Sequence, residues 1–360
     1  MFETILVFKI LIPTIIAFVI GIAITPIMTH YFYTYKMWKR SSRISEENTY
    51  GKFEIDDAVK QIHNSSETKT PRVGGMIVWL SVVLTICVTW IISQFHFSGE
   101  FESLDLQFLT RNQTFIPFAS LILGALIGLV DDLFQIFGGT TKRLVAGIPR
   151  KIRIGLVTLL GFVEGLWFFQ KLGYSAIDVP FTNMQLELGV FFVFFYIIVV
   201  LGLFSSSVID GVDGLASGVL SVIFTIYGII GIIQEQFDIA TFCFVVTGAL
   251  LAFLWFNIPP ARFYLGETGI LALTLSLSVI IFLTNTVIEF LVIGFPLVIT
   301  SVSSFLQIVW RRTYGKKLFR VAPLHHHFES LGWSRAKITM RYWVFSVMCG
   351  ALGLVIVIIG

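Results

Sequence analysis

Four short polar stretches interrupt a very apolar chain, and each carries residue types suited to phosphate or to a metal ion. The first, GLVDDLF (128–134), sets Asp131 beside Asp132 at the end of an apolar run. Adjacent carboxylates repel and burial raises the cost, so a cation or an uptake of protons is expected; the plain alternative is a solvated pair that stops a helix. The second, SSSVIDGVDGLASG (205–218), spaces Asp210 and Asp213 three residues apart, on one face if helical, among glycines that let a ligand approach the backbone. A helix N-terminus favours Asp through its dipole, but capping accounts for one Asp better than for two. The third, NIPPARFYLGETG (257–269), ends one apolar run at Pro259 and Pro260 and opens the next with Glu267 among small residues. The fourth, APLHHHFESLGW (322–333), places His325, His326 and His327 beside Glu329, in a chain with only six histidines.

Carboxylates with neighbouring Lys, Arg and His suit a metal-bound phosphorylated ligand. Mg²⁺ commonly binds through one or two carboxylates, with phosphates and water completing its octahedron, and Mn²⁺ is the alternative. Zinc suits imidazole, but three consecutive histidines cannot readily aim their rings at one tetrahedral ion. The histidines are better placed to bind phosphate, or else form a polar surface loop.

The elements that must position these residues follow from composition. Hydrophobic residues make up 56% of the 360 and charged ones 13%, against roughly 25% charged in soluble domains. The chain is therefore expected to be an all-α polytopic membrane protein. Ten apolar runs serve as transmembrane spans, at about 5–28, 73–95, 115–130, 152–170, 187–204, 214–233, 239–256, 268–284, 287–310 and 340–359. Three cysteines, Cys87, Cys243 and Cys349, lie far apart inside these runs and indicate neither a disulfide framework nor a thiolate metal site.

Alternate connections, 29–72, 131–151, 205–213, 257–267 and 311–339, carry eight, five, none, one and eight basic residues when extended by a residue or two. That is 22 of the 25 Lys and Arg, leaving Lys9, Arg111 and Lys171 for the other side. The positive-inside rule then puts the five connections in the cytoplasm and both termini outside, with the polar clusters on the cytoplasmic face of a single integral membrane domain, 1–360. The mixed charges at 39–60 are compatible with an interfacial helix or a solvated loop, and no nucleic-acid partner is expected.

Taken together, these stretches resemble the phospho-N-acetylmuramoyl-pentapeptide transferase family, within the polyprenyl-phosphate hexosamine-1-phosphate transferases. The resemblance runs over nearly the whole chain: TPRVGG (70–75) after a polar loop, Asp131-Asp132, DGVDGLA (210–216), NIPPARFYLGETG, and APLHHHFESLGW followed by RYW (341–343). It implies a ten-span, often homodimeric enzyme of the bacterial cytoplasmic membrane. Such an enzyme moves phospho-MurNAc-pentapeptide from a UDP carrier to undecaprenyl phosphate, giving lipid I and UMP. It further implies catalytic roles among Asp131, Asp132, Asp210, Asp213 and His326, and a Mg²⁺ site at Glu267 with help from Asp131 or Asp213. Substrate contacts would come from Lys69, Thr70, Ser207, Asn257, His325, His326, His327 and Glu329.

The chain also departs from the family pattern. Ser207-Val208-Ile209 stands where Asn-Leu-Thr is usual, Arg72-Val73 replaces Thr-Met, and Gln135 replaces a common Lys. Glu267 replaces the family's metal-binding Asp and adds a methylene. A transferase for another UDP-sugar, an inactive relative kept as a scaffold, and a transporter are the rival readings. Clustering at the membrane rim favours the enzyme over the transporter, whose ionisable residues are more often near the midplane.

Overall fold

Long apolar runs become helices because only intrahelical bonding satisfies a backbone removed from water. A computed structural model describes residues 2–38, 70–94, 105–110, 113–137, 147–182 and 184–360. Lys69 and the segment 39–60 lie outside the described residues. The chain forms α1 (Phe2–Thr34), α2 (Gly75–Ser93), α3 (Phe115–Phe137) and α4 (Arg150–Lys171). A hairpin follows, with β1 (Ala176–Asp178) antiparallel to β2 (Gln185–Glu187). Then come α5 (Phe192–Ser205), α6 (Leu215–Ile233), α7 (Phe237–Asn257) and α8 (Gly266–Leu283). The last four helices are α9 (Phe290–Ile293), α10 (Phe295–Tyr314), α11 (Leu324–Ser330) and α12 (Arg335–Ile359).

Among the described residues, 9 helices are long and apolar enough to cross a membrane. Phe295–Tyr314 is not one of them, because Thr300, Ser301, Ser303, Ser304, Gln307, Arg311 and Arg312 dilute its hydrophobicity. The single run read from the sequence as 287–310 is broken at Gly294, between α9 and α10. Pro296 explains the break: its ring denies a continuous helix one N–H and collides with the carbonyl four residues earlier. A second difference is that α3 runs past residue 130 to Phe137, so Asp131 and Asp132 sit inside a helix. Many large apolar side chains face outward, Phe191, Trp255 and Phe305 among them, as a lipid-facing surface requires.

At the centre stands α8, in which every residue except Glu267 is buried. A helix apolar all round belongs inside a bundle. It packs most extensively on α3, and the approach is close: a Cβ at Gly128 would stand 2.1 Å from the Glu267 carbonyl oxygen. Any larger residue at 128 would push the two helices apart. Glu164 in α4 is a buried carboxylate within the bundle; it accepts hydrogen bonds from Ser120 of α3 and, at 3.0 Å, from the Tyr196 hydroxyl of α5. Those bonds make Glu164 a clamp between three helices.

Candidate functional site

The four polar stretches meet at one end of the bundle, around the start of α8. A helix begins with N–H groups that lack intrahelical acceptors, and here two carboxylates from elsewhere in the chain supply them. Asp132 accepts from the Glu267 N–H at 3.3 Å and the Thr268 N–H at 2.9 Å, while Asp210 accepts from the Gly266 N–H at 3.0 Å. Gly266 has φ +68, and a Cβ there would fall 1.9 Å from the Arg72 carbonyl oxygen, so both conformation and space require glycine. TPRVGG is the strap alongside: Tyr264 N–H donates to the Pro71 carbonyl at 2.8 Å, and Gly74 and Gly75 donate back to Tyr264 and Leu265. Thr70 opens this strap and is half-buried.

Asp131 points the other way. Its Oδ1 accepts the Ile148 N–H at 2.6 Å, and its Oδ2 accepts from Gln135 at 2.8 Å and Arg153 at 3.1 Å. The same Arg153 nitrogen lies 2.8 Å from Glu267 Oε1, so one guanidinium joins α3, α4 and α8. The positive charge expected beside the aspartate pair is therefore present in the chain itself. Composition hid it, because Arg153 reads simply as one more basic residue marking a membrane face.

The loop 210–214 is braced from several sides. Asp213 accepts the Ala261 N–H at 3.1 Å, and its carbonyl accepts from Thr339 at 2.9 Å. Trp343, within RYW, donates its indole N–H to the Gly214 carbonyl at 3.0 Å. Asn257, expected as a substrate contact, is bonded within the chain as a clamp. Its Oδ1 accepts from the Gly214 N–H at 3.0 Å and the Ser217 hydroxyl at 2.9 Å, and its Nδ2 donates to the Phe263 carbonyl at 2.7 Å. Ser207 lies in the one-turn 3-10 helix Ser206–Ile209, half-buried, its carbonyl accepting from the Asp210 N–H.

The histidine block is α11, a short helix following Pro323. At about 100° per residue, consecutive side chains diverge: His325 and His326 turn to the 210–214 loop and His327 packs against the Phe319 ring. A Cβ at Gly211 would stand 2.7 Å from His325 Nε2 and 3.0 Å from His326 Nε2. His326 Nδ1 is 3.0 Å from Glu329 Oε2, and Glu329 Oε1 accepts from Arg335 at 2.9 Å. With Nδ1–H on the carboxylate, Nε2 faces the loop as an acceptor in the neutral ring and a donor in the imidazolium.

Of the carboxylates expected to hold a divalent cation, Asp131 and Glu267 come to the same Arg153 nitrogen, at 3.1 and 2.8 Å, while Asp213 is bonded to Ala261. Among the described residues no three acidic, His or Cys side chains gather as metal ligands. Asp131 is held by Ile148, Gln135 and Arg153, and Asp213 by Ala261. Glu267 retains the required chemistry, for its Oε2 is buried without a hydrogen-bond partner among the described residues. One such carboxylate fits a Mg²⁺ whose other ligands are substrate phosphates and water.

Residues 114–285, which hold all five of these carboxylates, match Glycosyl transferase family 4. The chain is 32% identical to a phospho-N-acetylmuramoyl-pentapeptide-transferase of Anoxybacillus flavithermus over 300 residues, covering 81% of this chain and 85% of the relative. The chain belongs to the phospho-N-acetylmuramoyl-pentapeptide-transferase family. Enzymes of that name from Listeria monocytogenes (34% identical, 84% of this chain and 89% of the relative) and Bacillus anthracis (29%, 95% of each) are similar over comparable lengths. Arg153, which bridges Asp131 and Glu267, is the residue at this end of the bundle that sequence reasoning missed.

Proposed function

We propose that this chain transfers phospho-N-acetylmuramoyl-pentapeptide from its UDP carrier to undecaprenyl phosphate, releasing UMP and forming lipid I at the cytoplasmic face of a bacterial cytoplasmic membrane. The observation that carries this reading is the meeting of five carboxylates, Arg153 and the His325-His326 pair at one end of an apolar bundle. A water-soluble nucleotide donor would reach that rim from the cytosol. An apolar cavity of about 460 Å³, lined by α5 and α10 side chains including Val199, Leu203, Leu297 and Val298, extends from Ser206 and suits an acceptor chain that stays in the bilayer.

In the reaction, a lipid phosphate oxygen bonds to the β-phosphorus of the donor, the bond to the UMP oxygen breaks, and UMP leaves with that electron pair. Such transfer depends on positioning and charge neutralisation more than on covalent chemistry from the protein. Arg153 contributes a fixed positive charge and His326, oriented by Glu329, a nitrogen at the 210–214 loop. Asp132 and Asp210 hold the start of α8, and with it Glu267, in place. Mg²⁺, held from the protein side by Glu267, would supply neutralisation of the pyrophosphate. The lipid phosphate is largely ionised near neutral pH, so direct attack needs no general base and leaves Asp131 to orient Arg153. Ten spans, outward termini and a homodimer complete the proposal, supported by the charge asymmetry and the family resemblance.

The test is UMP release by purified protein given UDP-MurNAc-pentapeptide and undecaprenyl phosphate. The expected result is release that requires both substrates. Release only with another UDP-sugar would reassign the donor, and none with any would overturn the transferase reading.

A further inference from the structure

The opposite end of the bundle holds a second polar chamber. From Gly266 to Leu283, α8 rises about 27 Å at 1.5 Å per residue, which separates this chamber from the carboxylate site. Asp178, Gln185, Glu187, Gln234, Asn285 and Glu289 are among the residues lining a cavity of about 610 Å³. Asp178 is fixed by both walls, accepting from Gln185 at 2.8 Å and from Asn285. Glu289 is only 8% exposed, and its Oε2 is buried with no hydrogen-bond partner among the described residues. Gln234 donates its Nε2–H to the Thr284 carbonyl at 2.9 Å and leaves its Oε1 likewise buried and without a donor.

A buried carboxylate oxygen without a donor is costly, and this cavity holds one beside an orphaned amide oxygen. No Lys, Arg or His is among the described residues lining it. What is missing is N–H donors with positive charge. A bare metal ion is a poor fit, because the described acidic residues form no three-ligand group and the volume lies in the range of small organic ligands. We propose that this chamber binds a small organic polyamine, its ammonium groups taken by Glu289 Oε2, Gln234 Oε1 and the Asp178 and Glu187 carboxylates.

Full-length protein in an uncharged detergent is titrated with spermidine at constant ionic strength, with binding followed by calorimetry and by thermal melting. Saturable binding and a rise in melting temperature are expected, since a ligand of the native state stabilises it. Glu289→Gln should weaken spermidine about tenfold or more, by removing the carboxylate that takes an ammonium group. Glu187→Gln, on the exposed strand β2, should leave the fold alone and weaken spermidine by a smaller factor, which keeps the question answerable if the Glu289 variant fails to fold. Absence of saturable spermidine binding, equal binding by both variants, or the same saturable response to Mg²⁺ alone would each overturn the assignment.

Discussion

Asp132 commits both oxygens to backbone N–H groups of α8, whereas Glu267 keeps one oxygen without a donor. The first is therefore a builder of the site and the second a group with unused binding capacity. Glu267→Gln keeps the shape but removes the charge, so turnover should fall by roughly a hundredfold or more, the loss typical of a removed charge-stabilising group. Glu267→Asp restores the charge one methylene shorter and should preserve or raise the rate. Both are read as UMP release at saturating Mg²⁺, and full turnover by the Gln variant would take Glu267 out of the proposed metal site. Asp131, Asp210 and Asp213 were legible as a constellation because carboxylates are conspicuous in an apolar chain. Their partners were not legible, since a backbone N–H such as that of Ile148, Gly266 or Ala261 has no sequence signature.

The junctions between elements depend on a few polar clamps, among them Asn257, whose side chain makes three hydrogen bonds. It ties the end of α7 to the start of α6 and to the Phe263 carbonyl. Asn257→Ala would strand three buried partners, each worth about 1 to 3 kcal/mol when left unsatisfied. Partial relaxation brings the expected loss to about 2 to 4 kcal/mol, seen as a lower melting temperature in detergent with donor KM unchanged in the fraction that remains folded. A raised KM with an unchanged melting point would return Asn257 to the substrate. Helix existence was readable from hydropathy, because each span is a local property of some twenty residues. The break at Gly294-Phe295-Pro296 was written in the sequence as a helix-incompatible proline, but the apolar residues around it obscured it. The extension of α3 to Phe137 was hidden for the opposite reason: charge looks like a terminus until tertiary partners neutralise it.

For the molecule as a whole, orientation in the bilayer governs which end meets cytosolic nucleotide. With 22 of 25 Lys and Arg in one set of connections, the carboxylate end should face the cytoplasm. Cysteines placed singly at exposed Thr313, after α10 begins to leave the apolar zone, and at exposed Thr182 in the hairpin loop report this directly, with Cys87 replaced by Ala. An impermeant maleimide should label position 182 in intact cells and position 313 only after permeabilisation; the reverse pattern would invert the topology.

The pairing of Asp132 with the start of α8 spans 136 residues of sequence to Thr268. Translation proceeds at about 5 to 20 residues per second, so the aspartate emerges from the ribosome about 7 to 27 seconds before its backbone donors exist. Throughout that interval the nascent chain must satisfy Asp132 by other means, whereas Asp131 waits only 22 residues for its partner Arg153. Catalytic competence is thus a late event of synthesis: the arginine bridge to Asp131 can close early, but the acidic centre is complete only when the eighth long helix has joined the bundle.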